Sequence, residues 1–358
     1  MTFAAVRSLR KPSLGSRPLR TIGTIAVVTA ALALTACGGG GKKQAASTSA
    51  MPTPTPTTSA MPTPTPTPAP TSPFNGLTAS KNGVVAVKID DTGNGRPQVN
   101  INKADVVYIE EVEGGLTRLL AVFNSQLPTV EPVRSTRAAD PELVAQYGPI
   151  AYVASGGAHV PLAYLHRSPL KTSINDAGGP GFARDGSRPA PYNLSANLAT
   201  IAKKLKAPQA KSIGFTFAAA APTSSTPGTA VHTQVGGTNV DFKYNAKTGR
   251  YVRYINGVAQ KTAGGASIST PNVIVQFCKV TQFNADRDVL GNPNQYTHSI
   301  GTGKVVVFRD GKRIVGTWKR PTATSGTQLV DSAGKPIPLK PGGEWVVLTR
   351  TNAPLAAG

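Results

Sequence analysis

The sequence predicts an α+β protein, in which an α/β layer domain with a mixed sheet precedes a β-rich domain that is a small barrel or a sandwich. In residues 74–220, short apolar runs typical of strands alternate with segments of helical periodicity, which is the pattern of a layered α/β fold. Helical periodicity ends in 221–358, where strand-like runs are separated by turn dipeptides. The Ala-, Pro- and Thr-rich stretch 218–230 marks the predicted domain boundary.

The N-terminal domain contains the predicted helices. The segment after Asp140 is expected to be a short helix, with Asp140 as its N-cap and Pro141 at the first helical position. Apolar residues recur at helical spacing from Leu194 to Leu205, and lysines lie in the last turn. The predicted strands are 84–90, 104–112, 118–125 and 149–157, and the predicted helices are 141–148, 160–166 and 194–206.

The C-terminal domain is predicted to be antiparallel because its apolar runs are joined by short turns. Asn256-Gly257 and Asp310-Gly311 are the two dipeptides that most strongly favour tight hairpins, and Thr248-Gly249 marks a third turn. We therefore expect a succession of hairpins in 221–358.

The first 36 residues predict a secretion signal. Residues 1–20 carry five basic side chains and no acidic one, and 21–36 are apolar or small and uncharged. Sixteen such residues fall short of the roughly 20 that a membrane-spanning helix needs. Leu34-Thr35-Ala36-Cys37 resembles the lipobox of bacterial lipoproteins, which implies cleavage before Cys37 and a diacylglycerol on its thiol.

Residues 37–73 predict a disordered stalk. The nonapeptide SAMPTPTPT occurs twice, at 49–57 and 59–67, and alternating Pro favours an extended polyproline II conformation. The stalk would hold the folded body on the outer face of the cytoplasmic membrane, to which the lipid on Cys37 anchors it.

Charge and composition limit the partners and cofactors. The net charge is +21; residues 74–220 carry 15 basic and 11 acidic side chains, whereas 221–358 carry 16 and 6. Outside the cell such an excess attracts lipid headgroups and anionic wall polymers. Export and the absence of a nucleic-acid motif argue against a nucleic-acid partner. Cys278 is expected to be a buried small side chain. No metal-ligand or nucleotide-loop spacing occurs, so no metal and no cofactor is predicted.

The densest polar cluster is Glu110, Glu111 and Glu113. In a strand Glu111 and Glu113 share one face, so they are candidates for an acid/base pair or a cation grip. The alternative is a partly buried ion network with three arginines, namely Arg118, Arg134 and Arg137.

Three further loops contain candidate residues. In the first, Arg134 and Arg137 flank Ser135 before a helix, which predicts either an oxyanion site or a loop whose arginines bond carbonyls. The second follows a strand, where glycines let a ligand approach the backbone, and contains Ser155, Gly156, Gly157 and His159. The third is a long Gly/Pro loop, either functional or merely solvated, with Asp176, Arg184, Asp185 and Arg188.

Several motifs occur in the order found in YerB-type bacterial lipoproteins, and the chain resembles that family from about residue 82 to 350. They are VKID, ADVVYIEEVEGGLTRLLAVF, PVRSTR, SGG, YVRYINGV, NVIVQ, GTGKVVVFRDGKRIVGTW and DSAGKPIPLKPGGEW. The resemblance implies two successive domains and an exported lipoprotein, but no reaction. Glu131 replaces a usual Gly, and Tyr192 stands where the family tends to have His, so no catalytic role is carried over to Tyr192.

The preferred functional hypothesis is a non-catalytic binding protein for an anionic glycan or wall polymer of the cell envelope, with Arg118 and the Arg134 and Ser155 loops as the binding residues. One alternative is an envelope hydrolase or transferase acting on a glycan or phosphodiester. Its acid/base groups would be Glu111 or Glu113 together with Asp176 or Asp185. A third hypothesis is a scaffold for another envelope protein. The sequence specifies no oligomeric state.

Overall fold

The computed structural model describes residues 69–288 and 290–358. The predicted signal sequence, Cys37 and nearly all of the predicted stalk lie outside the described residues. At the start of the described part, Thr71 pairs with Thr78 in a β-bridge and the Ser72 side chain is buried. Among the described residues no helix is long and apolar enough to cross a membrane.

The first half of the described chain alternates strands with three short helices. The strands are β1 (Val85–Asp90), β2 (Val106–Glu111), β3 (Thr117–Phe123), β4 (Thr129–Val130), β5 (Ala151–Ala154), β6 (Lys171–Ile174), β7 (Phe182–Arg184) and β8 (Leu194–Asn197). The helices are α1 (Asp140–Val144), α2 (His159–Arg167) and α3 (Leu198–Lys204).

The second half consists of strands and turns. Its strands are β9 (Thr226–Pro227), β10 (Ala230–Val235), β11 (Thr238–Asn245), β12 (Arg250–Ile255), β13 (Val258–Ala259), β14 (Ser269–Thr270), β15 (Asn272–Cys278), β16 (Val280–Arg287), β17 (Pro293–Thr297), β18 (Gly301–Arg309), β19 (Lys312–Arg320), β20 (Gln328–Val330), β21 (Glu344–Arg350) and β22 (Leu355–Ala357).

Strands from both halves share one central mixed sheet. Its order is β20-β19-β18-β15-β21-β2-β3-β1-β5-β6, with β9 added on β19. The two halves meet where β2 and β21 pair in parallel, from Val106 opposite Glu344 to Ile109 opposite Val347. The predicted α+β class with a mixed sheet is confirmed. The division at residue 220 stays a prediction, because the sheet is continuous across it.

A second sheet covers one face of the central sheet, as in the sandwich alternative. It has the order β13-β12-β11-β10-β22, with β14 added on β12. Phe242 of this sheet packs edge-on against Trp345 of the central sheet, with ring centroids 5.8 Å apart. The opposite face carries a separate apolar core that includes Leu143 of α1 and Leu165 of α2.

Two details of the predicted helices are wrong. Leu194–Asn197 is strand β8, paired with β4 and β7, so the helix predicted from 194 starts only at Leu198. The buried Leu194 and Ala196 fit strand and helix spacing alike, and the Asn197 side chain, which accepts from the backbone N–H of Thr200 at 2.9 Å, marks the true helix start. Asp140 is not an N-cap; it lies inside α1, after Ala139.

The predicted tight hairpins are confirmed in the second half. Asn256 and Gly257 have φ values of 50° and 79°, and Asp310 and Gly311 have 54° and 70°. Two consecutive positive φ values are those of a type I′ turn, whose twist matches the paired strands. Cys278 ends β15 and is buried, and this burial raises the pKa of its thiol to about 12.

Candidate functional site

A cleft with a volume of about 390 Å³ lies at the strand ends on one side of the central sheet. The strands β1, β2 and β5 all run in the same direction, so their carboxyl ends meet there, which is where α/β sheets commonly bind ligands. The β16–β17 hairpin of the second half closes the cleft. The lining residues are Val112, Glu113, Leu116, Arg118, Arg134, Ser135, Thr136, Arg137, Ala158, Pro161, Arg287, Asp288 and Asn294.

Arg118 is a buried cation of this cleft. The residue lies in β3 and is 6% exposed. Nη2 lies 3.6 Å from Asp90 Oδ2, and Nε has no hydrogen-bond partner among the described residues. Burial lowers the pKa of Arg118; Asp90 opposes this, whereas the charges of Arg134 and Arg137 add to it. A buried guanidinium with an unused donor is the kind of group that an anion would satisfy.

The other two predicted arginines are held by carboxylates. Arg134 Nε lies 2.8 Å from Asp90 Oδ2, and its guanidinium sits 5.3 Å from the ring centroid of Tyr192. Arg137 contacts Glu113 through both Nε and Nη2 at 2.6 Å. These ion pairs fix where the two guanidinium groups point.

The three glutamates that the sequence grouped together have three different partners. Glu110 meets Lys88 at 3.0 Å, Glu111 accepts two bonds of 2.8 Å from Arg350, and Glu113 pairs with Arg137. The expectation that Glu111 and Glu113 share a strand face is wrong, because β2 ends at Glu111 and Glu113 begins a 3₁₀ turn. Of the two, only Glu113 lines the cleft.

The second candidate loop is hydrogen-bonded to the loop from Arg134 to Arg137, which we call the arginine loop. The backbone N–H of Ser155 donates to the carbonyl of Arg134 at 3.0 Å, and that of Thr136 donates to the carbonyl of Gly156 at 2.9 Å. The hydroxyls of Ser155 and Ser135 are 3.3 Å apart. Gly157 is equally close to the arginine loop, since an added Cβ there would lie 2.7 Å from Thr136 Cγ2. These contacts join two loops that are distant in sequence.

Two more predicted residues, Asp176 and His159, lie next to the second candidate loop. An added Cβ at Gly156 would lie 1.9 Å from Asp176 Oδ2, so the close approach of Asp176 requires glycine there. Asp176 also donates its backbone N–H to the carbonyl of Ser155 at 2.9 Å, and its side chain is exposed. His159 begins α2 with an exposed side chain and is not among the lining residues.

The remaining residues of the third loop make their contacts outside the cleft. Arg184 Nη1 donates to Asn193 Oδ1 at 2.9 Å. The exposed Asp185 accepts from the Ser187 hydroxyl at 2.5 Å, which lowers the pKa of Asp185. Arg188 Nη2 donates to the carbonyl of Pro97 at 2.6 Å. None of the three lines the cleft.

Sequence reasoning missed the hairpin residues Arg287, Asp288 and Asn294. They are well over a hundred residues from Arg118 and Arg137, and no local pattern connects them. Hydrogen bonds from Asn292 lower the pKa of Asp288, and the charge of Arg137 lowers it further.

A buried charge cluster beneath the cleft was also missed. Lys88 Nζ contacts Asp140 Oδ1 at 2.7 Å as well as Glu110. Asp140 Oδ2 accepts from the backbone N–H of Arg137 at 2.8 Å and from the Tyr152 hydroxyl at 2.6 Å. Burial opposes the ionisation of Asp140, but Lys88 and these hydrogen bonds outweigh it and lower the pKa. The arginine loop is thus bonded directly to a buried anion.

No group of three or more His, Cys, Asp and Glu side chains is placed to hold a metal ion in residues 69–288 and 290–358. What the cleft offers is four arginines, two carboxylates that line it, and hydroxyl and backbone groups.

The fold and the cleft define a sheet-rich α+β protein with a basic site at the carboxyl ends of its parallel strands. Residues 74–211 match the family described as "Protein of unknown function (DUF3048) N-terminal domain", and 230–346 match its C-terminal domain. The chain is 28% identical over 277 residues to a Bacillus subtilis (strain 168) protein named "Putative lipoprotein YerB", covering 73% of this chain and 80% of that protein. It therefore belongs to the YerB-type family.

The solved structure of the YerB protein from Bacillus subtilis has the same fold. The comparison gives a TM-score of 0.68 at 23% identity and covers 80% of this chain and 99% of the other. The resemblance expected from the sequence motifs is confirmed.

Proposed function

We propose that the chain is an exported lipoprotein, anchored through Cys37 to the outer face of the cytoplasmic membrane, whose cleft binds an anionic group of an envelope glycan or wall polymer. The observation that carries this proposal is the convergence of Arg118, Arg134, Arg137 and Arg287 on one cleft. Arginine offers a planar fork of donors that matches phosphate and carboxylate.

The charge balance of the cleft supports an anionic ligand. Its four arginines face Glu113 and Asp288, with Asp90 behind them. Of the three arginines predicted from the sequence, Arg118 has the longest ion-pair distance, 3.6 Å, and its Nε donor is unused among the described residues. The cleft therefore keeps both net positive charge and hydrogen-bonding capacity for a bound anion.

The contacts of the carboxylates favour binding over acid/base catalysis. Glu113 is held by two short contacts to Arg137 and Glu111 by two to Arg350. These contacts occupy the carboxylate oxygens, which an acid/base group would need free for its substrate. Asp176 and Asp185 do not line the cleft, which makes the hydrolase or transferase alternative the less supported one.

Replacing Arg118 with Gln tests the anion site. Phosphate should raise the melting temperature of the full chain in detergent more than chloride does at equal ionic strength, in proportion to ln(1 + [L]/Kd). Arg118→Gln should weaken phosphate binding by about tenfold or more, because a charge-assisted bond is lost. Asp90 keeps Arg134 and the Thr92 N–H and hydroxyl as partners, so the variant should fold.

The matched control is Arg250→Gln. Arg250 is also a partly buried arginine whose pKa burial lowers, but it donates to the hydroxyl and carbonyl of Ser269 and does not line the cleft. Phosphate is also excluded from protein surfaces and stabilises them non-specifically; that effect should be the same in both variants. Equal phosphate responses in the wild type and Arg118→Gln would refute the anion site.

Replacing Cys37 with Ser tests the anchor. The variant should move from the membrane fraction to the soluble fraction, because two acyl chains supply the attachment. Cys278→Ser is the matched control and should stay with the membrane. Fractionation followed by immunoblotting measures both; a Cys37→Ser protein that remains membrane-bound would show that the attachment does not depend on a lipid.

A further inference from the structure

A second pocket, with a volume of about 300 Å³, lies between α2 and the β16–β17 hairpin. It adjoins the same two elements as the cleft lined by four arginines, which we call the arginine cleft. The side chains that line the two pockets differ in chemistry. Its lining residues are Glu142, Tyr164, Thr281, Phe283, Tyr296 and His298. We call it the aromatic pocket.

Three aromatic rings form a continuous wall of this pocket. The centroids of Tyr164 and Phe283 are 5.9 Å apart at an angle of 84°, and those of Phe283 and Tyr296 are 6.0 Å apart at 43°. Tyr164 is 39% exposed. Because the rings are tilted against one another, the pocket contains both ring faces and ring edges, and a ring face carries negative electrostatic potential.

A firmly held carboxylate completes the pocket. Glu142 Oε2 accepts from the Tyr296 hydroxyl at 2.8 Å, and Oε1 accepts from the Ser299 N–H and hydroxyl at 3.1 and 3.0 Å. These donors are neutral, and the buried Arg320 donates to the backbone carbonyl of Glu142, at 2.6 Å, rather than to its carboxylate. The carboxylate is therefore fixed in place without a salt bridge among the described residues, and the nearest cation, Arg320, acts on it through space and through the Ser299 hydroxyl.

The absence of lysine and arginine from the lining stands out in this chain. The full sequence carries 38 basic and 17 acidic side chains, yet the described residues that line the aromatic pocket include one carboxylate and neither Lys nor Arg. Negative potential from a carboxylate and ring faces attracts a cation, and it disfavours the anion that we expect in the arginine cleft.

We propose that the aromatic pocket binds an ammonium group of an envelope component, either a quaternary ammonium or a protonated primary amine. Aromatic walls with an adjacent carboxylate are a recurrent arrangement for alkylammonium recognition. The chain contains two contacts between an ammonium group and an aromatic ring: Lys243 Nζ lies 4.9 Å from the Tyr254 ring centroid, and Lys304 Nζ lies 5.0 Å from that of Phe277. None of the residues that line the aromatic pocket lines the arginine cleft.

The test uses tetramethylammonium chloride as the probe, and the full chain in detergent as the protein. Saturation transfer from the protein to the probe's methyl protons, measured by NMR, reports binding. Tyr164→Ala and Glu142→Gln should each raise the dissociation constant for tetramethylammonium about tenfold. This is the size expected when a partly desolvated cation–π or charge contact is lost. Tyr164→Phe should restore binding because it keeps the ring.

Two controls separate this site from other causes. Tyr254→Ala removes a half-buried tyrosine elsewhere and should leave probe binding unchanged, as should Arg250→Gln, which lies outside both pockets. If the aromatic residues serve only to hold the hairpin on α2, the Glu142→Gln protein will bind the probe as the wild type does, and that result overturns the proposal. Absence of saturation transfer to the probe from the wild type overturns it as well.

Two further arms identify the source of the ammonium group. Soluble phosphocholine and phosphatidylcholine vesicles are each tested for displacement of tetramethylammonium from the Cys37→Ser protein, which is expected to need no detergent. Displacement by the soluble compound indicates a free or polymer-borne amine, and displacement by vesicles alone indicates a lipid headgroup. The phosphate response of Arg118→Gln is measured separately, so loss of one site is distinguishable from loss of the other.

Discussion

Replacing Arg253 with Met is expected to lower the free energy of unfolding by about 3–5 kcal/mol, because it leaves the buried Asp91 carboxylate without its cation. Arg253 belongs to β12 of the second sheet and is 1% exposed. Its Nη1 and Nη2 contact the two oxygens of Asp91 at 2.9 and 2.7 Å. Burial raises the pKa of Asp91, but Arg253 outweighs it and lowers the pKa overall.

Chemical denaturation of Arg253→Met and of the double variant Arg253→Met/Asp91→Asn measures this effect. The double variant should recover part of the loss, because Asp91→Asn removes the charge and keeps an oxygen that can accept from the Thr117 hydroxyl, which is 2.8 Å from Asp91 Oδ2 in the wild type. If the double variant is as unstable as the single one, lost packing against Trp345 rather than an unpaired charge explains the result; the Arg253 guanidinium lies 5.1 Å from that ring.

The stability of the wild type is expected to fall between about pH 5 and 8 through the titration of Glu110. Burial raises the pKa of Glu110 to about 8; Lys88 opposes the shift and the nearby Asp140 adds to it. In the unfolded chain the ordinary value is 4.5. The folded state therefore binds more protons across this window, so the stabilisation is complete below pH 4.5 and is lost as the pH rises through the folded pKa.

Glu110→Gln should remove this contribution. The difference in unfolding free energy between wild type and variant should change by at most about 1.4 kcal/mol per pH unit, which is the value for one proton. Urea denaturation at about pH 5, 6, 7 and 8 gives the difference at each pH across the window in which one proton is bound. The comparison is necessary because burial also raises the pKa of Glu344. Parallel pH profiles for the two proteins would show that Glu110 binds no extra proton on folding.

Local sequence patterns were enough to predict the fold class and much of the local structure. Short apolar runs predicted the strands that became β1, β2, β3 and β5, because strands that are buried on both faces are largely apolar along their whole length. Asn256-Gly257 and Asp310-Gly311 predicted hairpin turns because few other residues tolerate two positive φ values. The motif order identified the family.

The candidate site was predicted only in part. The arginine loop and Arg118 do meet in the cleft, because both lie against the end of β1: Val133 bridges to Ile89, and Arg118 of β3 is opposite Asp90. The helix from Leu194 was misplaced because a short run with buried Leu194 and Ala196 is compatible with both periods until its sheet partners are known.

Which charged side chains meet depends on how distant strands pair. Glu111 pairs with Arg350, 239 residues away, because β2 and β21 are parallel neighbours whose ends coincide. Arg287 and Asp288 reach the cleft because the β16–β17 hairpin folds back over α2. Local periodicity reports which face of an element is buried, whereas the partner across a sheet is set by strand order and register, which depend on the packing of the whole chain.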